Sequence, residues 1–144
     1  MRECIKDHEE CSSYRRDAFN LPTRVINVSS QDVSLHVTAG EVGKYAILSH
    51  CWGRHRIITT TKNNIEARLL KIPSDELSRT FRDAVAVTRA LGLQYLWIDS
   101  ICIIQDSTDD WELESSNMGN YYAAAEVTIA ATDAQDSSVG CFVE

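Results

Sequence analysis

The chain lacks any long apolar run. None approaches the ~20 residues that a bilayer-spanning helix needs. The opening stretch, Met1-Arg2-Glu3-Cys4-Ile5-Lys6-Asp7, has no apolar core and does not read as a secretory signal. Basic residues are scarce. The chain has 14 Lys and Arg against 21 Asp and Glu, a net charge of -7. That balance excludes nonspecific duplex binding, which rests on clustered cations. There is no G-x-G-x-x-G and no phosphate-cradling P-loop. There is also no internal repeat and no low-complexity tract. These absences lead us to expect a soluble cytoplasmic domain with no membrane span and no DNA partner.

What is present suits one globular domain of 144 residues, 44% apolar and 24% charged. The five cysteines, with no secretory signal, read as thiols. Cys4-x3-His8-x2-Cys11, with His50-Cys51 further on, could supply zinc ligands. The spacing fits no common finger and a fourth ligand is missing, so no metal is expected. The local basic clusters are Arg15-Arg16 and Arg54-His55-Arg56. The second could meet a phosphate or could simply be a solvated loop.

Hydrophobic periodicity sets the elements. Residues 25–28 and 33–37 read as two strands of a hairpin, with a turn at 29–32 and turn signals at Gly40 and Gly43. Residues 45–50 form a nearly continuous apolar strand of the kind buried in a parallel sheet. A short helix is expected near 63–70, ended by Pro73. A strong helix begins at Thr80, with Thr80 and Asp83 at capping-box spacing and Gly92 as its stop. Strand 94–98 follows. The next helix begins at Ser107 or Thr108, with Trp111, Glu114, Ser115, Met118, Tyr122 and Ala125 on one stripe. Residues 126–132 form the last strand. The fold class is α/β: three layers, a mainly parallel central sheet, an N-terminal β-hairpin and extra helices. One domain spans 1–144, with an arm and hairpin over 1–43 and an α/β core over 44–144.

In such a sheet, ligands bind beyond the carboxyl ends of the strands. Two buried strands end in polar groups: Ser49-His50 with Trp52-Gly53, and Asp99-Ser100. If those strands are neighbours, the groups converge on one rim, within reach of Glu114. Trp52 could stack on a planar ring, and Gly53 would let backbone come close. Each residue also has a plainer reading: Asp99 as a cap, His50 as a satisfied buried histidine, Trp52 as a core plug, Glu114 as a partner of Arg82, Arg89 or another cation. Cys51 is poorly placed as a nucleophile activated by His50, because strand neighbours point to opposite faces.

Four segments together resemble the fungal heterokaryon incompatibility (HET) domain: Tyr45 to Gly53, Leu77 to Gly92, Tyr95 to Gln105, and Trp111-x-x-Glu114-x-x-x-Met118-x-x-x-Tyr122-x-x-Ala125. The likeness runs from Cys4 through Leu21-Pro22-Thr23-Arg24 to Gly140. It implies a filamentous fungal origin and a role in self/non-self recognition that ends in programmed cell death. HET domains have in turn been likened to TIR domains, whose sheet is flavodoxin-like and some of which cleave NAD. Trp97-Ile98-Asp99 resembles the TIR strand end, and Glu114 falls where the active glutamate would be. The long segment between strand 45–50 and the helix at Thr80 departs from a compact TIR pattern. The resemblance implies Glu114 as the catalytic residue, with Ser49, His50, Trp52, Gly53 and Asp99 binding substrate. NAD or a related nucleotide would be substrate, with no cofactor. A homo-oligomer would form on activation, and an incompatibility or NLR-type protein would be the partner. The alternative is a non-catalytic, self-associating signalling module.

Overall fold

The protein is described here by a computed structural model of residues 19–52 and 57–131. Cys4, His8, Cys11, Arg15, Arg16, Gly53, the Arg54-His55-Arg56 cluster and Cys141 lie outside the described residues. Five strands form the main sheet: β2 (Arg24–Asn27), β3 (Ser34–Val37), β5 (Tyr45–Ser49), β6 (Tyr95–Trp97) and β7 (Val127–Ala130). Their order is β3-β2-β6-β5-β7. A separate two-stranded ribbon pairs β1 (Phe19–Asn20) with β4 (Val42–Gly43). Among the described residues there are four helices: α1 (Ile65–Leu70), α2 (Arg79–Ala90), α3 (Asp99–Cys102) and α4 (Thr108–Ala124).

The expected hairpin is present, with β2 antiparallel to β3. It docks on the core through β2, which also runs antiparallel to β6. β5 pairs in parallel with both β6 and β7. The sheet is therefore mixed: its parallel part is β6-β5-β7, and the hairpin extends it. The chain goes from β5 to β6 on one side, then crosses back past β5 to β7 on the other. By the right-handed rule for parallel crossovers, two crossovers of opposite direction carry their helices to opposite faces of the sheet. α2 lies against β5 and β6. On α4, Tyr121 and Tyr122 pack against the Trp97 ring at centroid distances of 5.6 and 6.4 Å.

Local chemistry sets the element ends. α2 begins one residue earlier than expected, because Ser78 is its N-cap and accepts the Phe81 N–H at 3.3 Å. Thr80 is fully buried inside the first turn. Phe81, Ala84, Val85 and Thr88 are the buried stripe, as the periodicity predicts. Gly92 ends the helix at φ +74°, a conformation that glycine adopts without strain. Gly43 differs from its expected turn role. It sits in β4, where a Cβ would meet Leu21 side-chain carbons at 3.3 Å, so its smallness serves close packing. On α4 the stripe is displaced. Glu114 is its one fully buried residue, flanked by half-buried Met118, Tyr121 and Tyr122, while Trp111 is 52% exposed.

Candidate functional site

The two apolar strands that end in polar residues are neighbours. β5 and β6 pair in parallel, Ile47 opposite Trp97, so their carboxyl ends open on one rim. There the Trp52 indole N–H donates to Asp99 Oδ2 at 2.8 Å. The other oxygen, Oδ1, accepts the Ser100 N–H at 2.7 Å and lies 3.9 Å from His50 Nδ1. Asp99, just past strand β6, is the first residue of the one-turn helix α3, whose N-cap is Ile98. Gln105 adds a side-chain bond to the Asp99 carbonyl at 3.2 Å.

His50 and Cys51, just past the end of β5, differ in burial: the His50 side chain is 2% exposed, and Cys51 is exposed. Phe81 meets the imidazole edge-on at 5.0 Å. Burial pushes the His50 pKa below its ordinary value; the Asp99 charge pulls it back only in part. At 3.9 Å the two are not hydrogen-bonded, and His50 Nε2 has no hydrogen-bond partner among the described residues. The expected consequence is acid sensitivity. Below pH ~6.5 the unfolded histidine takes up a proton that the folded one resists. Stability present at neutral pH is therefore lost as pH falls from ~6.5 toward the lowered folded pKa. Urea melts of wild type and His50→Gln across pH 5–8 should show this, the variant losing less stability on acidification. Parallel pH curves would refute it.

Glu114 is turned inward. It is fully buried, and its Oε2 accepts the Tyr121 O–H at 3.0 Å. Among the described residues its Oε1 has no hydrogen-bond partner. The cations suggested for it are engaged elsewhere: Arg82 bonds the Leu77 carbonyl, and Arg89 bonds those of Val28, Ser30 and Gln31. Among the described residues Glu114 has no ion-pair partner. Helix geometry explains why Tyr121 caps it. Residues seven apart lie on one face, two turns along, and a tyrosine side chain leans toward the helix N-terminus. A stripe counted from Trp111 takes in Tyr122 at i+11 and leaves Tyr121 at its margin, although Tyr121, at i+7 from Glu114, is the closer neighbour of that carboxyl. Tyr121 also lines a groove of about 420 Å³ with Phe19, Leu21 and Asn120. The side chain that walls this groove therefore also seals the carboxyl.

Asp99 and Glu114 do not touch, but both lie close to Cys102. Burial raises the Cys102 thiol pKa to about 12, with backbone N–H bonding and Arg24 lowering it and the Glu114 and Asp99 charges raising it. Ser49 stands exposed at the end of β5 on the same rim. Trp52 is 41% exposed, so its ring is available at the surface as well as tethered to Asp99. No group of three or more His, Cys, Asp or Glu among the described residues is arranged to hold a metal ion. No helix among them is long and apolar enough to cross a membrane.

A family model described as heterokaryon incompatibility protein (HET) matches residues 45–144. That stretch covers β5 through β7 and every rim residue named above. Comparison with curated proteins gives no significant match, and neither does comparison with solved structures.

Proposed function

We propose, from the premise that this chain belongs to the heterokaryon incompatibility (HET) family, that it signals fungal cell death by hydrolysing NAD at the nicotinamide–ribose bond. Family membership carries the coarser part, self/non-self incompatibility and death signalling. The finer part, the reaction, rests on one observation: Glu114 is a wholly buried carboxyl with one oxygen unpaired. A purely structural carboxyl is normally satisfied on both oxygens, since an unpaired buried polar atom costs about 1–3 kcal/mol. Such a cost is tolerated where the group is kept for a ligand.

In this reading the rim formed by Ser49, His50, Trp52 and Asp99 receives the dinucleotide, with Trp52 against a planar ring. The C–N glycosidic bond breaks with its electron pair going to nicotinamide, leaving an oxocarbenium-like ribose. Glu114 stabilises that positive charge in a low-dielectric setting. Water then adds to the anomeric carbon and releases a proton, giving ADP-ribose. Glu114 lies beneath Tyr121, so turnover requires that this cover shift, which we assign to homo-oligomer formation in the cytoplasm after an incompatibility or NLR-type partner engages.

Chromatography of NAD incubated with concentrated, assembled protein tests the reading. Nicotinamide and ADP-ribose should accumulate in equal amounts. Intact NAD under conditions in which the protein kills cells would reject it.

A second reading, a non-catalytic self-associating module, is favoured by the same burial: a carboxyl sealed by Tyr121 meets no solute. Under it Glu114 matters only for packing.

A further inference from the structure

We infer that Arg24 is a positioning residue for this site. It lies on β2, outside the residues matched by the family model, and clasps the segment that joins Asp99 to Glu114. The inference rests on the NAD-cleaving reading for its functional consequence, but the clasp itself is geometric.

Asp99 opens α3 and Glu114 lies one turn and a half inside α4, so the loop 103–107 between them sets how the two carboxyls stand to each other. Arg24 spans that loop. Its Nε donates to the Cys102 carbonyl at 2.7 Å, at the end of α3. Its Nη2 donates to both oxygens of Asp110, at 2.6 and 2.5 Å, in the first turn of α4. Asp110 Oδ2 also accepts the Ile104 N–H at 2.8 Å, which draws the loop onto the same carboxylate. Glu114 follows Asp110 by four residues and shares its side of the helix.

The clasp is well shielded, with side-chain exposures of 8% for Arg24 and 15% for Asp110. Shielding strengthens it and makes the loss of either partner costly. The opposite side of the loop is pinned by Thr60. Its N–H donates to the Ser100 carbonyl at 3.0 Å, its hydroxyl donates to the Ile101 carbonyl at 2.6 Å, and its carbonyl accepts the Gln105 N–H at 2.8 Å. Thr60 fixes α3 and the loop, whereas Arg24 reaches across to α4. A guanidinium is required because one planar fork must serve a carbonyl and a carboxylate together.

The experiment compares wild type, Arg24→Lys and Asp110→Asn in the full chain. Both variants should lower kcat for NAD by about tenfold or more and change KM less than threefold, since misplacement of a reacting group acts on the chemical step. Amide exchange should speed up about tenfold over residues 104–110, with exchange in β5 and β6 at wild-type rates. Wild-type exchange over 104–110 in both variants would overturn the inference. So would uniform acceleration across the whole chain, which would mean general destabilisation, or full kcat in both variants. If wild type itself leaves NAD intact, the proposed function fails, and exchange alone then decides whether Arg24 holds the two helices in place.

Discussion

Glu114→Gln is expected to reduce NAD turnover by about 100-fold or more while the fold survives. The substitution keeps the size and shape of the side chain. Its amide oxygen can still accept the Tyr121 O–H, the one hydrogen bond the carboxyl makes among the described residues. It also removes any need to keep a carboxylate in a site with no cation partner among the described residues, so the melting temperature should stay within about 4 °C of wild type, the equivalent of roughly 1 kcal/mol. What the variant lacks is charge, and charge is what the NAD-cleaving reading needs next to an oxocarbenium-like ribose. Paired measurements of thermal unfolding and nicotinamide release separate the two functional readings. Loss of turnover with an unchanged melt supports catalysis. A folded variant with wild-type NAD cleavage removes Glu114 from the chemistry, and a folded variant that kills cells as wild type does favours the non-catalytic module.

The region matched by the family model, residues 45–144, is expected not to fold cooperatively when expressed alone. Cutting there removes β2 and β3. With them go Val25, Ile26, Val28 and Leu35, each 0–2% exposed. At about 1.5–3 kcal/mol for each fully buried aliphatic side chain, the four together are worth roughly 6–12 kcal/mol, comparable to the 5–15 kcal/mol total stability of an ordinary domain. The cut also strips β6 of its antiparallel neighbour, leaving an apolar edge prone to self-pairing. The Arg24 clasp is lost as well. Residues 19–144 should melt in one sharp transition, whereas 45–144 should give a broad, non-cooperative melt and tend to aggregate. A soluble 45–144 fragment with a cooperative melt would show that the hairpin is an accessory to the core.

These two experiments touch different parts of what the chain encodes. The hairpin, the helix over Phe81 to Thr88 and the apolar strands at 45–50 and 94–98 were legible because each carries its own period and its own stop. Gly92 with φ +74° is one such stop. The convergence of Trp52 and Asp99 was legible only conditionally, since it required β5 and β6 to be adjacent. Asp99 was placed just past the right strand, with a cap as its plainer reading; it is instead the first residue of α3. The turn into α3 depends on where the backbone goes after Ile98, and four residues are too few to show a helical period. Tyr121 as the cap of Glu114 was not legible from the stripe as a whole, because spacing counted from Trp111 favours Tyr122, and only spacing counted from Glu114 itself points to Tyr121.

By itself the sequence determined the longer strands and helices, their order and the inward face of Glu114, because hydrophobic spacing is a local property and a carboxylate on an apolar stripe follows it inside. Only the tertiary structure decided that the sheet is mixed, that Tyr121 seals the carboxyl, and that Arg24 spans 86 positions to reach Asp110. Those depend on which strand edge pairs with which and on where two distant charges come together, and neither is encoded in any single window of the chain.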